Sequence, residues 1–122
     1  MVLLDTNILI ELFKANQKIL EEIIRIDLKN TCISKITVLE LYIGVLNKKE
    51  QQKIKKFLSN FPQISIDNQI IDKTIELVFQ YRLSHGLFIN DAILAATCLE
   101  YKIPLYTLNT KDFKYIPDLI LL

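Results

Sequence analysis

A chain of 122 residues with 51% hydrophobic and 24% charged residues has enough apolar mass for one core and too little length for two. That balance excludes disorder and predicts a single domain spanning 1–122. A net charge of +1 gives no bulk attraction to polyanions, and two glycines, Gly44 and Gly86, are too few for a Walker A loop or a GxGxxG fingerprint.

Val2 to Leu4 is a short apolar run suited to a buried strand. Asp5, Thr6 and Asn7 interrupt it before helix-compatible spacing resumes over 8–13. From Gln17 to Leu28, apolar residues at 19, 20, 23, 24 and 28 alternate with charges in a helical period, which predicts an amphipathic helix. Thr31 to Ser34 reads as a second strand, and Ile36, Leu39, Ile43 and Leu46 then fall at helical spacing around Glu40. Lys48 to Phe61 reads as a basic helix with an apolar stripe of Ile54, Phe57, Leu58 and Phe61, stopped by Pro62. Its lysines are expected to face solvent.

A third strand is expected around 64–66, and Asp67 or Asn68 can cap the next helix. That helix has a predicted stripe of Ile71, Ile75, Val78 and Phe79, and Gly86 stops it. A further helix runs from Ile89 to Lys102, Leu105 to Leu108 makes a fourth strand, and Leu119 to Leu122 is a candidate fifth. Short strands alternating with helices predict an α/β fold: a three-layer α/β/α sandwich on a mainly parallel sheet of four to five strands.

No apolar run is long enough to span a bilayer or to form a signal-peptide core, so a cytoplasmic protein with no membrane partner is expected. Cys32 and Cys98 lie far apart in core-like segments, which fits reduced, buried thiols. His85, the only histidine, precedes Gly86 and reads as a helix C-terminal residue; no nucleophile elbow accompanies it.

In such folds reactive groups gather beyond the carboxyl ends of the strands. Asp5 follows the first strand, Glu40 lies in the helix after the second, Asp91 opens the helix after Gly86, and Asp112 lies just past the fourth strand. Taken singly, Asp5 reads equally as a cap or a site residue, Glu40 as a charge amid apolar sequence that points to function over a solvated face, Asp91 as a helix-dipole partner and Asp112 as a turn residue. Taken together, they repel one another unless a cation sits between them. An oxygen-only donor set selects Mg²⁺ or Mn²⁺ over zinc, and such an ion suits phosphodiester hydrolysis. Thr6, Asn7, Thr37, Thr107 and Asn109 stand beside the acids as a supporting polar shell.

The segments "LLDTNILI", "SKITVLELYIGV", "INDAILAATCLE" and "LYTLNTKDF", in this order, resemble the PIN-domain family, and within it the VapC-type toxins of VapBC toxin–antitoxin systems. The resemblance covers nearly the whole chain. It implies a Rossmann-like sandwich, and an endoribonuclease whose Mg²⁺ or Mn²⁺ is held by Asp5, Glu40, Asp91 and Asp112. It also implies a homodimer, and a VapB-like antitoxin whose C-terminal segment fills the groove near the acids and which alone contacts promoter DNA. Many family members have a basic residue between the threonine and asparagine of the TxN segment, where this chain has Leu108.

Two other readings share these features. A haloacid-dehalogenase-like phosphatase also has an aspartate after its first strand, but its second acid falls where this chain has Asn7. A non-catalytic module that binds RNA or an antitoxin keeps both the fold and the acids.

Overall fold

A computed structural model describes all residues from Met1 to Leu122. Four short strands, β1 (Val2–Leu4), β2 (Thr31–Ser34), β3 (Gln63–Ile64) and β4 (Leu105–Tyr106), form one sheet in the order β3-β2-β1-β4. Every pairing is parallel, with Val2 opposite Thr31, Ile33 opposite Gln63 and Leu3 opposite Leu105. The helices are α1 (Thr6–Phe13), α2 (Gln17–Ile26), α3 (Lys35–Ile43), α4 (Lys48–Leu58), α5 (Asn68–His85) and α6 (Ile89–Tyr101).

Side-chain alternation along the strands divides the interior into two cores. Leu3, Cys32 and Leu105 face a layer built by Ile70 and Leu77 of α5 and the apolar run Ala92 to Ala96 of α6. Val2, Leu4, Ile33 and Tyr106 face the opposite way, onto Ile8, Leu9, Ile19, Ile23, Leu41, Ile54 and Leu58 of α1 to α4. This is the three-layer α/β/α sandwich that the strand and helix alternation predicts.

The chain steps outward from β1 to β3, then returns through α5 and α6 to lay β4 on the free side of β1. The crevice between the carboxyl ends of β1 and β4 is therefore the switch point of the sheet, where open α/β folds bind ligands.

Several expected boundaries move. The second helix stops at Ile26 because Asp27 takes a positive φ of 78°, and the third stops at Ile43 beside Gly44 rather than running to Leu46. The fourth stops at Leu58, leaving Phe61 buried beyond its end. The fourth strand stops at Tyr106, since Thr107 turns its side chain to Asp5. The candidate fifth strand is reduced to one bridge, Leu121 with Leu105.

Of the stripe expected on α5, only Val78 packs on the core. Ile70, Thr74 and Leu77 are buried, whereas Ile75 and Phe79 are 62% and 89% exposed. On α3 the buried residues are Thr37 and Leu41 and Ile36 packs half-buried on the core, while Leu39, Ile43 and, beyond the helix end, Leu46 are exposed. Both segments are apolar on more than one side, and periodicity alone cannot say which side meets the sheet. Cys32 and Cys98 are buried free thiols, and burial pushes Cys32 up to about 11.

Candidate active site

Asp5 follows β1 and caps α1. Its backbone is extended, its Oδ1 accepts from the Thr6 N–H at 2.7 Å, and its own N–H donates to the Tyr106 carbonyl at 2.9 Å. The cap accounts for one carboxylate oxygen only. Oδ2 accepts from the Thr107 hydroxyl at 2.7 Å and from the Asn7 amide at 3.3 Å. Asn7 also accepts from the Leu108 N–H at 3.2 Å, and the Asn109 N–H donates to Thr107 Oγ1 at 3.0 Å. Segments about a hundred residues apart are thus tied together across the switch point. Asn109 takes part through its backbone.

Glu40 reaches the same edge from α3, which Ser34 starts by accepting from the Ile36 N–H. Its Oε1 accepts from the Thr6 hydroxyl at 3.0 Å, and Thr37 Oγ1 lies 3.4 Å from that hydroxyl. Leu41, next in sequence, is buried, which pins the helix and holds Glu40 half-buried at the rim. Asn90, a residue the sequence reading gave no role, also approaches Glu40 and favours its ionised form. The signal for it was its place beside Asp91 in the first turn of α6.

Asp91 owes its position to Gly86, whose φ of +67° closes α5 with N–H bonds to Arg82 and Tyr81 carbonyls and lets α6 begin three residues later. Phe88 starts α6 without a side-chain cap, and the Asp91 carboxylate, in the first turn, accepts no hydrogen bond from the protein. Asp112 ends a single 3₁₀ turn, Thr110–Asp112, closed by its N–H on the Asn109 carbonyl. Its side chain is exposed.

Electrostatics register how the four acids converge. Burial is the largest cause of the raised pKa of Asp5, Glu40 and Asp91. Asp91 is pushed up to about 6, because burial is reinforced by the charges of Asp5, Asp112 and Glu40. Asp5 in turn feels Asp112, and Glu40 feels Asp5. Hydrogen bonds from Thr107, Thr6 and Asn7 oppose the shift at Asp5. Four carboxylates from four separate segments therefore share one negative field.

They do not form a closed coordination shell: no three of them stand close enough to hold an ion as they are placed. The donor chemistry fits a hard divalent cation, being all oxygen, partly desolvated and mutually repulsive.

Two clefts meet this edge, and a groove at the far end of the helical layer adjoins the first of them. One, lined by Thr6 and Glu40, runs between α1 and α4 over Ile10, Phe13, Ile54 and Phe57. A neighbouring apolar groove continues along α2 past Leu20, Ile23 and Ile24. The second cleft holds Asp91, Asp112 and Lys111 with His85, Phe88 and Tyr115. The lysines of α4 are exposed, as the composition of that helix predicts.

The PIN domain profile matches residues 2–119. The chain is 33% identical to Ribonuclease VapC1 of Methanocaldococcus jannaschii, with 96% of this chain and 82% of that protein covered. It is 32% identical to Ribonuclease VapC of Rickettsia bellii, with 71% of each covered. Among solved structures, VapBC2 of Rickettsia felis bound to a promoter DNA fragment superposes with a TM-score of 0.82 at 31% identity, covering 100% of this chain and 98% of that one. A toxin–antitoxin complex from Klebsiella pneumoniae gives 0.81 at 32% identity, covering 98% and 96%. The sheet order, the acids at its switch point and these matches together place the chain in the PIN-domain family, among its VapC-type members.

Proposed function

We propose that this protein is an endoribonuclease toxin that hydrolyses RNA phosphodiester bonds with Mg²⁺ or Mn²⁺. The observation that carries the reading is the convergence of Asp5, Glu40, Asp91 and Asp112 in one field at the switch point. A divalent ion held by these carboxylates would polarise a phosphoryl oxygen and offset the charge that develops on it.

The chain's own residues do the rest. Thr107 and Asn7 fix Asp5 so that its Oδ2 faces the crevice edge rather than closing on the helix terminus. Thr6 orients Glu40. Asp91, whose carboxyl is pushed up to about 6 by burial and by the charges of Asp5, Asp112 and Glu40, gains from a cation held among them.

The partners follow from the same surfaces. The apolar grooves from Glu40 along α1, α2 and α4 suit the C-terminal segment of a VapB-like antitoxin, whose end would lie beside the acids. In this reading DNA contact belongs to the antitoxin. The exposed stripe Ile75, Phe79 and Leu83 on α5, spaced by four residues, supports a homodimer. No helix is long and apolar enough to cross a membrane.

The absence of a closed three-acid shell favours, as a second reading, a module that binds RNA or antitoxin without cutting. One experiment separates the two: incubation of structured RNA with the protein in Mg²⁺ or Mn²⁺, in chelator, and after Asp5→Asn. The nuclease reading expects cleavage only in the first condition. Cleavage that survives chelation and substitution overturns the metal mechanism, and tight RNA binding without turnover in any condition establishes the binding module.

A further inference from the structure

The cleft holding Asp91 and Asp112 has an aromatic wall that the acids do not explain. Its volume is about 300 Å³, the small end for ligand pockets and enough for one nucleobase with its sugar. His85, the last residue of α5, lies flat against Tyr115, with ring centroids 4.0 Å apart and planes 13° from parallel. Tyr81 meets both rings edge-on or tilted, at 5.8 Å from His85 and 5.2 Å from Tyr115.

Tyr115 and Tyr81 are half-buried and pack on the α5–α6 core, so the stack is anchored from below. His85 is exposed, leaving its outer face open to solvent. The Ser84 hydroxyl lies 2.8 Å from His85 Nδ1 and fixes the ring's rotation. A solvated helix end has no need of a ring held flat by a tyrosine and a serine. Lys111 lines the same cleft and pairs with no carboxylate, although Asp112 follows it directly.

We propose that His85, backed by Tyr115, is a stacking subsite for one nucleobase of the RNA strand next to the cleaved bond, with Lys111 meeting the adjoining phosphate. This rests on the nuclease reading and deepens it. A planar face is sequence-tolerant and captures an unstacked base, and single-stranded RNA is recognised in this way. A phosphate presented to Asp91 and Asp112 then leaves its neighbouring base against the aromatic wall.

The test uses a 5′-labelled single-stranded RNA containing a mapped cleavage site, with an abasic residue walked through the positions on either side of it. One abasic position should lower kcat/KM of the wild type by about tenfold, mainly through KM, as expected for a lost base–aromatic stack. His85→Ala should show the same loss on intact RNA and no further loss on that abasic RNA. His85→Phe, which keeps a flat face, should restore wild-type KM.

Unchanged KM in His85→Ala with matching melting temperature, or an abasic profile identical to the wild type's, overturns the subsite and leaves the nuclease standing. A wild-type protein that cuts no RNA with either cation overturns the nuclease reading, and the subsite with it.

Discussion

Asp91→Asn should stabilise the metal-free protein while abolishing its activity. In the folded state the carboxyl of Asp91 is raised from 3.8 to about 6 by burial and by the charges of Asp5, Asp112 and Glu40. A folded-state pKa above the unfolded one means that the native protein binds the proton more tightly. This group therefore favours folding most below pH 4, and its contribution falls as pH rises through about 6. A shift of this size has a ceiling of about 3 kcal/mol at neutral pH, at about 1.4 kcal/mol per unit. Asp91 is only half-buried, so solvent screening reduces the effect to about 1.5 kcal/mol.

Asparagine keeps the shape and removes the charge, at a loss of about 0.5 kcal/mol because it forfeits the carboxylate's attraction to the first turn of α6. The net gain of about 1 kcal/mol corresponds to roughly 3 to 5 °C in melting temperature for a chain of this size. The assay is thermal unfolding of both proteins in chelator at pH 7.5 and at pH 4. The gain should be present at pH 7.5 and absent at pH 4, and Mg²⁺ should raise the melting temperature of the wild type more than that of Asp91→Asn. A variant that is no more stable than the wild type at pH 7.5 in chelator would refute the shared-field account of the four acids.

Thr107→Val removes the hydroxyl that donates to Asp5 and accepts from the Asn109 N–H, so it should lower stability by about 1 to 2 kcal/mol. It should also cut RNA cleavage about tenfold, with Thr107→Ser recovering most of both; chemical denaturation and initial rates check this. Phe79→Glu, on a residue 89% exposed, should convert the proposed dimer to a folded monomer in light scattering, with an unchanged circular dichroism spectrum. A variant that remains dimeric would move the interface away from α5.

The two-sided burial of β1 and β2 was legible because Val2 to Leu4 and Thr31 to Ser34 combine brevity with apolar runs bounded by polar residues. The strand edge holding Asp5 followed from the same pattern. The facing of α3 and α5 was not legible: Ile75 and Phe79 are as apolar as Ile70 and Leu77, and only the sheet beneath decides between them. The ends of the helices shifted where a single backbone conformation decides, as at Asp27.

At the site, the four acids and Thr6, Asn7 and Thr107 are legible from their places just after strands or in the following helices, but their pairing is not. That Thr107 donates to Asp5 across 102 residues, and that Thr6 serves Glu40 rather than Asp5 through its hydroxyl, depends on β4 returning beside β1. The contacts of Asn90 with Glu40 and of His85 with Tyr115 are hidden for the same reason, since each joins residues far apart in sequence, although the place of Asn90 beside Asp91 marks it.

The central claim, that Asp5, Glu40, Asp91 and Asp112 form one divalent-cation site, is tested most directly by calorimetric titration of Mn²⁺ into the wild type and into Asp5→Asn, Glu40→Gln, Asp91→Asn and Asp112→Asn. The account predicts saturable binding to the wild type, weakened about tenfold or more by each substitution. Binding that is absent from the wild type at millimolar Mn²⁺, or that survives all four substitutions unchanged, would contradict it.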